Sequence, residues 1–156
     1  MTKFIENLQK AEKIISRVDY IAYVTFPLLK NKKLLLKMIR ELKEATTNCI
    51  TAILQYEYLL RRIKLDPDPK INFKTFKEKC SEKYQITERE IKLIVELFEV
   101  AQKHKESSME IAKNGNVIIL SERMEPRIIT IEKTKEFLGT AKSVLRKTKT
   151  VFQRKI

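Results

Sequence analysis

The sequence predicts a mainly α-helical bundle of four or five helices, with long antiparallel helices and a small β-hairpin before the C-terminal helix. The chain has only two Gly and four Pro among 156 residues, so few residues interrupt helices. Apolar residues recur at intervals of three and four through most of the chain. Two short β-branched runs flank a polar stretch late in the sequence, as the strands of a hairpin do. At this length we expect a single domain, residues 1–156.

The first two helices are the longest predicted elements that neighbour each other. The first covers about residues 3–25, and Pro27 closes it or begins the following turn. The second runs from about Asn31 to Ile63, because a heptad repeat continues without a slip from Leu35. Since it is longer than the first helix, the rest of its apolar seam needs another partner. A later helix or a second subunit, which would make a homodimer, could fill that place.

Prolines and a capping motif define the middle of the chain. Asp66-Pro67-Asp68-Pro69 breaks the chain between helices at 65–70, because alternating prolines are incompatible with a helix. A short helix is predicted over about 73–84. Thr87-Glu88-Arg89-Glu90 is a capping box, in which a Thr side chain and a Glu three residues later bond each other's backbone. It predicts the next helix, about 88–105.

The pattern changes after residue 105. Ser108 is expected to cap a short helical turn, Met109–Lys113, and Asn114-Gly115 to form a turn. The β-branched runs predict a hairpin within about 117–131. Thr130 is expected to cap the last helix, about 132–154.

The positive charge of the chain is concentrated in three predicted helical stretches. The net charge is +13, and basic residues outnumber acidic ones nine to three over 30–64, eight to two over 132–156 and five to two over 70–84. Such a field attracts polyanions, and nucleic acid is the most plausible of them.

The last helix is the first candidate binding element. Projected at 100° per residue, Lys135, Lys142, Arg146 and Lys149 fall in one stripe clear of the apolar face, and no acid follows Glu136. A straight row of cations suits a phosphate backbone. The alternative is an ordinary solvated face, although such a face normally intersperses acids among its bases.

The start of the second helix is the second candidate, since it carries Lys30, Lys32, Lys33, Lys37 and Arg40. Cations at a helix N-terminus oppose the helix dipole. A sequence that tolerates this arrangement has a use for the charge, unless solvent screens the lysines enough to make the cost negligible.

Aromatic side chains beside these cations could stack on bases if they are exposed. Tyr20, Tyr23 and Phe26 cluster near the end of the first helix. Tyr56 lies in the heptad seam and is expected in the core, whereas Tyr58 is out of register and is expected to be exposed.

The sequence offers little for catalysis or cofactor binding. His104 is the single histidine, and no carboxylate is evidently placed to complete a relay with it. Two Cys and one His without ligand spacing do not make a metal site. The only glycines, Gly115 and Gly139, are isolated, so no phosphate-binding loop exists. We therefore expect a protein that is not an enzyme, with no cofactor and no metal.

Compartment is inferred from cysteine use and hydropathy. Cys49 and Cys80 occupy apolar positions of helical patterns and are expected to be buried, reduced thiols, with a disulfide between them left open. No apolar run is long enough to span a bilayer, and charged residues interrupt the first twenty positions, unlike a signal peptide. These features predict a cytoplasmic protein without integral membrane association.

The order of elements resembles the HEPN group of helical bundles. A long helix, a Pro turn, a very long helix with Ala45 and Ala52, and further helices match that pattern over about residues 3–105 and the last helix. Catalytic members are ribonucleases with an Arg, a spacer of four to six residues and a His. Positions 97–99 before His104 hold Leu, Phe and Glu, so the resemblance implies a non-catalytic member. Such members bind RNA, partner nucleotidyltransferases or form dimeric scaffolds. The chain is also similar to uncharacterised small archaeal proteins that end in a hairpin and a helix.

These observations predict a non-enzymatic nucleic-acid-binding protein, with RNA preferred over DNA. The alternative is a protein–protein interaction module or homodimeric scaffold. A degenerate nuclease ranks third, and His104 is its only candidate residue.

Overall fold

The structure, a computed structural model, describes residues 3–106, 109–113, 116–120 and 126–153. It confirms a mainly α-helical bundle with a small antiparallel β-element before the C-terminal helix. The helices are α1 (Lys3–Tyr20, continued by a π-helical turn Ile21–Thr25 and a last α-helical turn Phe26–Leu29), α2 (Lys32–Leu59), α3 (Pro69–Thr75, continued by a π-helical turn Phe76–Cys80), α4 (Glu88–Glu106) and α5 (Ile131–Gln153). The strands are β1 (Met109–Lys113), β2 (Asn116–Leu120) and β3 (Pro126–Ile129), which lie between α4 and α5 in the chain.

The first helix does not end before Pro27, as the sequence predicted, but continues through it to Leu29. The turn before the proline is widened, because the Phe26 N–H donates to the carbonyl of Ile21, five residues back. Proline has no N–H and is disruptive in a regular helix interior, whereas a widened turn relaxes the regular hydrogen-bond ladder there. The helix ends at Lys30, whose φ of 45° is left-handed.

The second helix ends at Leu59, four residues before the predicted Ile63. Arg61 adopts a left-handed φ of 59°, and the Arg62 N–H donates to the Glu57 carbonyl at 3.0 Å. This is the hydrogen-bond pattern of a Schellman C-cap, with an arginine where glycine is usual. Leu59, the last residue of the helix, is exposed. Ile63 is buried, although it lies beyond the end of the helix.

The heptad seam of α2 is covered within one chain. Its core positions from Leu35 to Tyr56 are all buried, and α2 contacts α1, α4 and α5. Later helices thus supply the partner that the length of α2 requires. Tyr56 is in the core and Tyr58 is exposed, as predicted.

The third helix begins at Pro69, four residues before the predicted start. Asp68 is its N-cap, accepting from the Lys70 N–H at 2.9 Å. Pro69 occupies the first turn, where its missing N–H costs nothing. The helical part ends at Cys80, and a turn over 81–85 follows it; this turn closes just after the predicted end at 84, where Gln85 has a left-handed φ of 57° and the Ile86 N–H donates to the Ser81 carbonyl at 2.8 Å.

Both predicted caps of the later helices are confirmed. The Thr87 N–H donates to Glu90 Oε1 at 2.9 Å, and the Glu90 N–H donates to Thr87 Oγ1 at 3.1 Å, which is a capping box. Thr130 Oγ1 accepts from the Lys133 N–H at 3.0 Å at the start of α5.

The prediction of a helical turn over Met109–Lys113 is wrong, because this segment is strand β1. It pairs with β2, Met109 opposite Leu120, and β2 pairs with β3, Val117 opposite Ile129. The hairpin predicted from β2 and β3 is present, and β1 extends it to three antiparallel strands, which are more stable than two. Ser108 and Asn114-Gly115, the predicted cap and turn, lie outside the described residues.

Both cysteines are buried free thiols, as predicted from the sequence. Burial raises the pKa of Cys49 to about 12. Burial, helped by the nearby charge of Glu57, raises the pKa of Cys80 to about 11. The raised pKa values favour the thiol over the thiolate, which is the nucleophilic form.

Candidate nucleic-acid interface

Two lysines of the basic stripe of α5 form ion pairs with acids of α1, although their side chains remain partly exposed. Lys142 forms an ion pair with Asp19, and Lys149 forms one with Glu12. The lysines are seven residues apart on α5, and the acids are seven apart on α1, so the pairs form a ladder between antiparallel helices. Half of the predicted stripe is therefore neutralised within the molecule. These ion pairs could not be predicted from the sequence, because it does not show that acids of the first helix lie beside lysines of the last helix.

Lys135 and Lys142 also contact an exposed aromatic ring. Their Nζ atoms lie 4.6 Å and 5.8 Å from the ring centroid of Tyr23, within cation–π range. Tyr23 is 55% exposed and Tyr20, one turn earlier, is 61% exposed. Phe26 is buried, so two of the three aromatic residues singled out in the sequence are accessible.

Arg146 is the member of the α5 stripe that stays unpaired within the described part of the chain. It is exposed and, with Lys142 and Lys149, lines a shallow depression of about 320 Å³. The row of four cations is thus one free guanidinium, two lysines in ion pairs and one lysine over Tyr23.

The cluster at the start of α2 has a different environment. Lys30, Lys33 and Arg40 are exposed, and Lys32 and Lys37 are half-buried. None of the five has an ion-pair partner in residues 3–106 or the later described segments. The neighbouring sequence offers no partner, since it has no acid between Asp19 and Glu41, and the packing brings no described acid from another element within ion-pair distance. Asn31 caps the helix, accepting from the Lys33 N–H at 2.8 Å.

One member of the α5 stripe, Lys135, lies toward the same end of the bundle as the cluster at the start of α2. Tyr23, which Lys135 contacts, precedes Lys30 by seven helical residues, or about 10 Å. We call Tyr20, Tyr23, Lys30, Lys32, Lys33 and Lys135 the bundle-end surface. Lys37 and Arg40 extend it along α2. Arg146 and Lys149 lie farther along α5, since Lys149 pairs with Glu12, about 16 Å from Tyr23 along α1.

Apolar side chains at the same end were not predicted. Leu28 is 80% exposed, Leu29 is 66% exposed, and Val24 lies one turn before Leu28 with much of its surface accessible. Their position beside Pro27 was the available signal, since residues at a connection between helices are usually at the surface.

His104 is placed differently from a lone surface histidine. Its Nδ1 lies 2.6 Å from Glu110 Oε1 on β1, so the ring is held by a carboxylate. This contact could not be predicted, because the segment that carries Glu110 was expected to form a helical turn and not strand β1. Within the described segments, no three side chains of the His, Cys, Asp or Glu types come together as a metal site.

No protein-family model matches this chain, and no curated protein or solved structure is significantly similar to it. The resemblance to HEPN bundles therefore stays a prediction. No helix in the described ranges is long and apolar enough to cross a bilayer. Function has to be inferred from the surface geometry of this chain alone.

Proposed function

We propose that this protein binds nucleic acid, RNA in preference to DNA, through the bundle-end surface and its extension along α2. One observation carries the proposal. The segment between Asp19 and Glu41 contains five cations and no acid, and these cations have no ion-pair partner among the described residues. Long-range attraction to phosphates comes from such uncompensated charge.

The exposed tyrosines favour RNA with unpaired bases. Bases in loops and single strands are splayed out and can stack on aromatic rings, whereas bases in a duplex cannot. Tyr23 presents a ring already flanked by Lys135 and Lys142. A base on this ring would place its phosphates near the ammonium groups.

The α5 stripe contributes less in this proposal than the sequence indicated. Lys142 and Lys149 are already paired with Asp19 and Glu12, whose negative charges oppose the approach of phosphates. Arg146 is free to make a peripheral contact. We therefore expect reversal of Lys30, Lys32 and Lys33 to weaken binding more than reversal of Lys142, Arg146 and Lys149.

The test compares two variants with the same net charge. K30E/K32E/K33E removes the bundle-end cations, and K10E/K13E/K92E removes three exposed lysines elsewhere that have no ion-pair partner in the described structure. Fluorescence anisotropy with a labelled RNA stem-loop, single-stranded RNA and duplex DNA is measured across salt concentrations. The first variant should lose about tenfold or more in RNA affinity, and its salt slope should fall by about two.

The control variant should lose distinctly less affinity than K30E/K32E/K33E. Equal losses in both variants would show that only net charge matters and would contradict the site. Vesicles containing phosphatidylserine form a further arm, because the lysines beside Leu28 also suit anionic lipid. Binding to vesicles without binding to any of the three nucleic acids would contradict the proposed function.

A second candidate is a protein–protein contact, including a homodimer. The exposed side chains of Val24, Leu28 and Leu29 support it, because adjacent exposed apolar residues often mark protein contacts. Sedimentation velocity of the wild type and of L28S/L29S tests the homodimer. A dimer that L28S/L29S dissociates supports it, and a monomer in both proteins at micromolar concentration contradicts it.

A further inference from the structure

A groove on another part of the molecule has the features of a ligand site. It has a volume of about 740 Å³ and lies between α2, the segment from Leu65 to Pro69, α3 and α4. Small-molecule sites are typically concave, mostly apolar and about 300–1,000 Å³ in volume. None of its lining residues belongs to the nucleic-acid interface proposed above.

The floor of the groove is apolar and elongated. Ile50 and Leu54 come from α2, Phe73 from α3 and Phe98 from α4. From Lys43 to Leu54 the groove follows α2 for about 16 Å, at 1.5 Å per residue. Phe73 and Phe98 are only half-buried and line the groove.

The aromatic wall is held by ring contacts. The Phe73 ring lies 5.9 Å from Phe76, which is fully buried, and 5.7 Å from Phe98. These are ordinary aromatic pair distances, so the wall is fixed by packing between α3 and α4. A fixed wall reduces the conformational entropy that a ligand would have to overcome on binding.

The charge of the groove has one sign. Lys43, Lys70 and Lys77 line it, all three are exposed, and no Asp or Glu is among its lining residues. None of these lysines has an ion-pair partner in the described part of the chain. Lys77 Nζ lies 5.1 Å from the Phe73 ring centroid, which places a cation directly beside the apolar wall.

We propose that this groove binds a single-chain amphiphile with a carboxylate head, of the fatty-acid class. The chain would cover Ile50, Leu54, Phe73 and Phe98, and the carboxylate would pair with a lysine that lines the groove. Burial of apolar chain surface supplies the affinity. The lysines select the sign of the head group, since a cationic head would meet three like charges.

The experiment uses the full chain and dodecanoate, below its micelle concentration, in isothermal titration calorimetry. Dodecyltrimethylammonium has the same chain with a cationic head, and acetate has the head without the chain. Dodecanoate should bind, dodecyltrimethylammonium should bind about tenfold more weakly or not at all, and acetate should not bind. Equal binding of the two amphiphiles, or no binding of dodecanoate, would overturn the proposal.

Variants locate the site. K43E/K70E should weaken dodecanoate binding by about tenfold, while K79E/K92E, with the same net charge but outside the groove, should not. T51W fills the groove from a half-buried position and should also abolish binding. Circular dichroism checks that T51W folds. If T51W does not fold, K43E/K70E alone tests the location of the site.

An acidic amphipathic peptide competing for the same lysines is the rival occupant. If such a peptide binds and dodecanoate does not, the amphiphile proposal fails. The RNA affinity of K43E/K70E should be at least as high as that of the control variant K10E/K13E/K92E, because neither variant changes the bundle-end surface. Failure of the amphiphile proposal can therefore be distinguished from failure of the nucleic-acid proposal.

Discussion

The N-termini of α4 and α2 are built from opposite charges. The first turn of α4 carries Glu88 and Glu90, and its last turn is basic. The first turn of α2 carries Lys32 and Lys33 and no acid. Both helices have a side-chain cap, Thr87 on α4 and Asn31 on α2. The α4 cap is a reciprocal capping box whose Glu90 also pairs with Lys147, whereas Asn31 accepts a single backbone hydrogen bond; the charges of the first turns are the second difference.

The difference teaches which charges folding explains. Acids at a helix N-terminus and bases at its C-terminus are favoured by the helix dipole, so the charges of α4 need no functional explanation. The lysines at the start of α2 oppose the dipole, typically by about 0.3–1 kcal/mol each at low salt. Because stability does not select them, they are the better evidence for binding.

The largest expected effect is at the α4 end. Glu90→Ala should lower the free energy of unfolding by about 2–3 kcal/mol, because it removes the capping box and leaves Lys147 without its carboxylate. Lys147 Nζ lies 2.6 Å from Glu90 Oε1, and both side chains are largely buried. Urea unfolding followed by circular dichroism measures the change. Glu88→Ala changes an exposed acid of the same turn and should lower the free energy of unfolding by less than about 1 kcal/mol. Equal losses in Glu88→Ala and Glu90→Ala would contradict the larger role given to the contacts of Glu90.

Removing the cap of α2 should have a smaller effect. Asn31→Ala should lower the free energy of unfolding by about 1 kcal/mol, since the Lys33 N–H loses its acceptor. Asn31→Asp keeps the acceptor and adds a negative charge at the dipole's positive end, so it should be neutral or stabilising. The same urea titration tests both, and a loss of stability in Asn31→Asp would count against the dipole argument.

Reversing the charges on α2 should stabilise the fold. K32E/K33E should raise the free energy of unfolding by about 0.5–1 kcal/mol in total at low salt, and the gain should vanish near 1 M salt. The same variant should bind RNA more weakly than the wild type. A variant that is more stable and binds equally well would remove the functional explanation of these lysines.

The smallest expected difference between the two helix N-termini is in how their contributions to stability depend on pH. Burial raises the pKa of Glu90, but hydrogen bonds from Lys147, Ser143 and the Thr87 N–H outweigh it and hold the pKa below the ordinary 4.5. A lowered folded pKa stabilises the protein above the unfolded value, and this contribution is lost as the pH falls through the folded value. The stability difference between the wild type and Glu90→Gln should therefore shrink as the pH falls below 4.5. The effect of Asn31→Ala should not change over that range, because an amide cap does not titrate.

Local signals in the sequence were reliable where the deciding contacts are also local. The capping box at Thr87 and the cap at Thr130 were predicted correctly, since their hydrogen bonds span three residues. The heptad seam of α2 identified its buried face from Leu35 to Tyr56. Helix ends were less predictable, because left-handed residues such as Arg61 stop α2 without the usual glycine.

The candidate site was only partly predictable. The cluster at Lys30–Arg40 could be found from composition, because its lack of acids is a property of the sequence. The neutralisation of Lys142 and Lys149 could not, since their partners lie on the first helix. Strand β1 was also missed, because a five-residue segment is recognised as a strand only when its partner β2 is known to lie beside it.

The sequence by itself determined the helical periodicity, the caps, the net charge of +13 and the acid-free cluster of five cations between Asp19 and Glu41. Tertiary structure alone decided which charges remain free. Lys142 and Asp19 are 123 residues apart in the chain and pair only because α1 and α5 pack antiparallel in one register. The groove at Phe73 and Phe98 also exists only after α3 and α4 pack on α2. Helix periodicity depends on neighbours within a turn, whereas ion pairs and cavities between elements depend on the packing of the whole bundle.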